Sequence, residues 1–159
     1  MTMPFSLPEG FKIVQLAAPV TTNAAVVTDT ISLKTAHKAW LVFDFTQAVS
    51  DTGVIVFRQT TDVAGATGAV MTASRVWQNN NTAATDTLVA GTSGTGVTLG
   101  SGALNMQVVA EFDPALFTEG YDCINGTVAA SSQSTNFVSV TGYIATRYPQ
   151  ATPPAVITD

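Results

Sequence analysis

Residues 34–58 read Lys34-Thr-Ala-His-Lys-Ala-Trp-Leu-Val-Phe-Asp-Phe-Thr-Gln47, then Ala48-Val-Ser-Asp-Thr-Gly53, then Val54-Ile-Val-Phe-Arg58. Two β-branched and aromatic runs flank a short polar break. That composition predicts two neighbouring strands joined by a tight connection, the central hairpin of the fold. Along residues 38–46 the side chains alternate. Leu41, Phe43 and Phe45 fall on one face, and Trp40, Val42 and Asp44 on the other. The first face is apolar throughout and belongs in a core. The second is half apolar, so a second layer, a terminal arm or a neighbouring subunit must cover it.

The same alternation recurs outward from this stretch. Residues 11–16 form a first short strand, ended by Ala17-Ala18-Pro19. Residues 26–33 form a second, with Ile31 and Leu33 set against Thr30 and Ser32. Residues 69–77 form a weaker strand, and a short one lies around Leu88-Val89. Residues 104–112 place Met106, Val108, Ala110 and Phe112 on one face, and Gln107, Val109 and Glu111 on the other. Residues 121–128 and 136–148 complete the set. Between them, residues 91–102 carry five glycines in twelve positions and read as a flexible loop or hairpin tip. Asp113-Pro114 starts a short helical turn, with Asp113 as its cap. No long amphipathic helix is present. The pattern predicts an all-β, single-domain antiparallel sandwich of jelly-roll type. Residues 1–10 are an N-terminal arm, residues 11–148 the domain, and residues 149–159 a proline-rich C-terminal arm. In that last segment Pro149, Pro153 and Pro154 forbid a central strand and favour extended chain.

Composition narrows the function classes. Charged residues make up 11% of the 159 residues, well below the usual ~25%. Six basic residues lie scattered, and the formal net charge is −5, so no cationic row exists to replace counterions on nucleic acid. No apolar run approaches the ~18 residues of a membrane span, and no signal peptide is expected. Cys123 is the single cysteine, which excludes an intrachain disulfide and fits a small buried side chain. Asp51-Thr52-Gly53 matches the aspartic-protease triplet, but that chemistry needs two such carboxylates sharing a proton, and the triplet reads as a turn. His37 is the single histidine and lacks a nucleophile elbow to serve. Residues 91–102 lack the Gly-Lys-Ser/Thr of a phosphate cradle. Asp44, Glu111, Asp113, Glu119 and Asp122 could pair for glycoside hydrolysis only at a fixed separation that sequence does not supply. No catalytic residue, cofactor site or metal site is assigned.

Three segments carry a family resemblance. They are Ser-Leu-Lys-Thr-Ala-His-Lys-Ala-Trp-Leu-Val at 32–42, Tyr-Asp-Cys-Ile at 121–124, and Thr-Arg-Tyr-Pro-Gln-Ala-Thr-Pro-Pro at 146–154. With the strand spacing between them, the chain from residue 10 to 159 resembles small tailed-bacteriophage and prophage proteins of the head-decoration or cement type. The resemblance implies a non-enzymatic virion protein, made in the bacterial cytoplasm, that sits on the capsid surface and stabilises the shell. Its implied partners are the major capsid protein and further copies of itself, as a dimer or trimer, with neither nucleic acid nor membrane. The expected subunit or capsid contacts are Trp40, Val42, Tyr148, Pro149, Pro153 and Pro154. Two alternatives remain open: a tail or head–tail component, and a carbohydrate-binding or hydrolase jelly roll using Asp44, Trp40 or His37.

Overall fold

Alternating β-branched and apolar side chains set most of the chain into strands. A computed structural model describes residues 7–147. One helical turn, α1 (Leu7–Gly10), precedes β1 (Phe11–Thr21), β2 (Val26–Val27), β3 (Ile31–Ser32), β4 (Ala36–Gln47), β5 (Val54–Thr60) and β6 (Gly68–Val70). There follow β7 (Arg75–Asn79), β8 (Val89–Ala90), β9 (Gly96–Thr98), β10 (Asn105–Phe112), a 3-10 turn (Pro114–Leu116), β11 (Cys123–Val128) and β12 (Asn136–Thr146). Among the described residues no helix is long and apolar enough to cross a membrane.

The strands form two antiparallel sheets that share one core. The first has the order β1-β12-β4-β10-β7-β8. The second runs β2-β11-β5-β6, with β3 also on β11 and β9 also on β5. The pairings are nested. The first strand pairs with the last, β2 and β3 pair with β11, β4 pairs with β10, and β5 pairs with β6 and β9. A long hairpin wrapped around a barrel axis has this connectivity, so the expected jelly-roll-like sandwich is what forms.

The core side of β4 is the one that alternation predicts: Leu41 and Phe43 are fully buried and Phe45 nearly so. The hairpin, however, does not form. β4 lies between β12 and β10 in the first sheet, whereas β5 lies in the second, bonded to β11. Residues 48–53 therefore arch from one sheet to the other. An arch and a hairpin join the same two alternating runs, and only long-range pairing separates them. Across the gap the Phe43 and Phe57 rings stand 6.2 Å apart, and Phe57 meets Phe112 edge-on at 5.2 Å.

A side chain far along the chain holds the arch. Asn136, 1% exposed, accepts from the Val49 N–H and donates to the Val49 carbonyl, both at 3.0 Å. Asn136→Ala removes both bonds and is expected to cost about 1–3 kcal/mol of stability, measurable by urea denaturation.

Other differences have local causes. Pro19 does not end β1, which runs on to Thr21 through two register shifts. β1 is a sheet edge, where a missing N–H costs little. Residues 26–33 split into β2 and β3, and residues 69–77 divide between β6 and β7 in different sheets. The glycine-rich segment holds β9, which buries Val97, and Leu99 just beyond it is buried too. Asp113 caps its 3-10 turn as expected, its Oδ1 accepting from the Ala115 N–H at 2.9 Å.

Candidate functional site

Register decides which side chains meet on the outer face of the first sheet. Tyr143 on β12 stands opposite Trp40 on β4, and Trp40 opposite Glu111 on β10. One step along, Val42 stands opposite Val109, and Val109 opposite Trp77 on β7. Cross-strand partners project to the same side, so an aromatic and aliphatic band crosses four strands.

The middle of that band is a hollow of about 270 Å³ lined by Leu7, Phe11, Trp40, Val42, Val109 and Tyr143. α1 carries Leu7 over the sheet to reach it, and Phe11 meets Trp40 edge-on at 5.6 Å. The Trp40 indole is fixed at its polar end, where Nε1 donates to Glu111 Oε2 at 3.1 Å. Glu111 is 7% exposed, and its other oxygen accepts from Lys38 Nζ at 2.8 Å. The carboxylate thus has a partner on each oxygen, and the indole is held as a rigid wall. Glu111→Gln can keep a bond to Trp40 while losing the ion pair. Because Lys38 is partly exposed, the expected cost is about 1 kcal/mol or less in thermal or urea unfolding.

Of the expected contact residues, Trp40 and Val42 lie side by side in this hollow. Tyr148, Pro149, Pro153 and Pro154 lie outside the described residues. Leu7, Phe11, Val109 and Tyr143 belong to the same surface but were not picked out from sequence. Their one local signal is an apolar side chain on an otherwise polar strand face, as Val109 is between Gln107 and Glu111. Strand order had to be known before these positions could be joined.

The chemistry-bearing residues stay apart. Asp44 and Glu111 lie on adjacent strands, offset by four residues, roughly 13 Å along the strand direction and beyond either glycosidase spacing. Asp44 instead accepts from Gln107 Nε2 at 2.8 Å. His37 is exposed as the second residue of β4. Gly53 is buried, and its carbonyl accepts from the Leu99 N–H at 2.8 Å, so Asp51-Thr52-Gly53 closes the arch. Cys123 is fully buried, its thiol donating to Asp122 Oδ1 at 3.0 Å, and Asp122 pairs with Lys34 at 3.4 Å. Among the described residues no three His, Cys, Asp or Glu side chains come together as a metal set would. A second cleft of about 460 Å³ lies at the β7–β8 end, around Asn79, Asn81, Thr85 and Val89. Asn79 is spent on its own loop, donating to the Thr85 carbonyl at 2.6 Å and accepting from the Asn81 N–H at 2.9 Å.

No family model matches the chain, and no curated protein matches it in sequence. Its fold has a solved counterpart. The crystal structure of YomS, a protein derived from the SPBc2 prophage, aligns with a TM-score of 0.52. The alignment covers 91% of this chain and 96% of that one, at 15% identity. At such identity the likeness concerns the fold, and it extends through the whole sandwich rather than one sheet.

Proposed function

We propose that this chain is a structural protein of a phage virion, binding the outside of the capsid as a dimer or trimer and stabilising the shell. The observation that carries the proposal is the likeness to a prophage-derived protein over nearly the full length of both chains. The jelly roll is also an architecture that viral shells use repeatedly. The role is mechanical and calls for no reaction. The contacts would come from the Trp40–Val42 surface and from residues 149–159. An extended proline-containing segment loses little conformational entropy on docking, which suits such a segment to bridging between capsomers. The same likeness supports a second reading, a tail or head–tail component, because it favours no position on the particle.

Cryo-electron microscopy of purified particles tests both readings. Symmetric density for this chain on the outer shell is the expected result. Density confined to the tail or neck selects the second reading, and absence from intact particles overturns both. Deleting Pro149 to Asp159 is expected to weaken binding to heads at least about tenfold, equivalent to ~1.4 kcal/mol, with the melting temperature unchanged. Undiminished head binding in a co-sedimentation assay removes the arm from the interface.

A further inference from the structure

Alternation carries the core face of β7 through Val76 and Gln78, and the two differ in cover. Val76 is 2% exposed, Gln78 is half-buried, and Val89, opposite Gln78 on the edge strand β8, is 64% exposed. The face that builds the core thus runs out into the open at the margin of the first sheet. There it forms the cleft of about 460 Å³, whose lining includes Gln78, Asn80, Asn81, Thr87, Val89 and Gly91. That volume falls within the roughly 300–1,000 Å³ of small-molecule sites.

Asn79 is committed to its loop, but the other polar side chains of the cleft are idle. Among the described residues no hydrogen bond engages the side chains of Gln78, Asn80, Asn81 or Thr87. Asn81 Oδ1 is shielded from solvent with no donor, a state that costs free energy until a donor is supplied. The backbone that carries these groups is nevertheless set. The Asn81 carbonyl accepts from the Ala84 and Thr85 N–H groups at 3.1 and 3.2 Å, and the Thr87 N–H donates to Thr85 Oγ1 at 3.2 Å. No charged side chain lines the cleft. An anion finds no cation here, and a hard metal ion finds no carboxylate. Unspent amides and a hydroxyl beside valine carbons suit a guest that is neutral, rich in hydroxyls and apolar on its C–H faces. Gly91 keeps the space open, since a Cβ there would lie 2.9 Å from Gln78 Nε2.

We propose that this cleft binds a neutral saccharide. Ring hydroxyls bond to the amides of Gln78, Asn80 and Asn81 and to the Thr87 hydroxyl, and a C–H face of the ring rests against Val89. A turn of the Asn81 amide toward the guest gives its oxygen the missing donor. The site is separate from Trp40, Asp44 and His37, and it does not rest on the virion reading.

The test follows the side-chain amide signals of Gln78, Asn80 and Asn81 in the ¹⁵N-labelled full chain, by nuclear magnetic resonance. Maltose, lactose and N,N′-diacetylchitobiose are the probes, with N-acetyl-trialanine amide as a neutral peptide. At least one disaccharide is expected to shift these signals saturably at millimolar concentration, and the peptide is not. Asn80→Ala/Thr87→Val removes two polar groups from exposed positions. It is expected to weaken binding at least about fivefold, the value of one ordinary hydrogen bond, with the melting temperature unchanged. Gly91→Ala turns the Gln78 amide aside, a flexible side-chain end rather than backbone, and is expected to weaken binding likewise. Should Gly91→Ala fail to fold, the double variant decides. No saturable shift with any disaccharide overturns the proposal, as does affinity unchanged in the folded variants. Saturable shifts with the peptide alone overturn it too and assign the cleft to a polypeptide. Particle location by cryo-electron microscopy is measured separately, so sugar binding and the virion reading stand or fall independently.

Discussion

Replacing Phe57 by alanine lowers the free energy of unfolding by about 3–5 kcal/mol. Phe57 is fully buried on β5 and touches aromatic rings from two different strands of the opposite sheet, Phe43 on β4 and Phe112 on β10. Its ring is the peg between the layers. Truncation removes the transfer free energy of the ring and leaves a void that neither sheet can close without losing its register. The neighbouring β11 has no side chain to lend: Gly126 is what makes room for Phe43, whose ring tip would stand 2.8 Å from a Cβ placed there. Against a total stability of roughly 5–15 kcal/mol the loss is a large fraction. Urea denaturation is expected to show a lower midpoint with an unchanged slope, which assigns the loss to the native state. Phe57→Leu, which fills most of the void, costs less. A Phe57→Ala protein as stable as the parent would mean that the two sheets do not depend on this contact.

Gly96→Ala is the second large effect, expected at about 1–3 kcal/mol for one added methyl group. Gly96 opens β9 and pairs with Val56 on β5. A Cβ there would lie 2.2 Å from the Ile55 carbonyl oxygen and 3.3 Å from the Ile55 carbonyl carbon. These are backbone atoms inside a sheet, so no rotamer change relieves the overlap, and β9 must separate from β5. Separation exposes Val97 and Leu99, which are nearly fully buried. Hydrogen exchange is expected to rise at residues 96–99 before the rest of the sheet responds. Gly100→Ala is the matched control. Its nearest heavy atom outside its chain neighbours lies 4.0 Å from the added Cβ, and the change is expected to stay within about 0.5 kcal/mol. Equal stability losses for the two variants would remove the close-approach account.

These two positions mark what the sequence discloses and what it hides. Alternation identifies the inward faces of β4 and β10 residue by residue, because burial against a second sheet demands a period of two. It is silent on partners, so the arch at 48–53 looked like a hairpin. Glycine content is ambiguous for a related reason. A glycine that frees a loop and a glycine that lets two backbones approach look alike until the neighbouring backbone is known. Gly96 is of the second kind, although the glycine-rich composition around it suggests the first. Pro19 misled in the same way, since a proline that breaks a central strand is harmless on an edge. The outer-face hollow was half legible. Trp40 and Val42 stand out as apolar side chains on a polar face within one strand. Leu7, Phe11, Val109 and Tyr143 join them only through strand order, and Glu111 as the anchor of Trp40 required the register between β4 and β10.

The place of β12 has a consequence for how the chain is made. It is the last strand among the described residues, and it lies between β1 and β4, in the interior of its sheet rather than at a margin. Phe11 finds its partner only at Ala145. While the chain emerges from the ribosome, β1 has no bonded neighbour in its sheet and β4 presents a bare flank. Assembly of that layer waits for the final tenth of the described chain. The outer-face hollow is subject to the same delay, because Tyr143 is one of its walls. An unfinished polypeptide therefore has neither a closed first sheet nor the complete outer-face hollow, and both appear only once the C-terminal strand has been made.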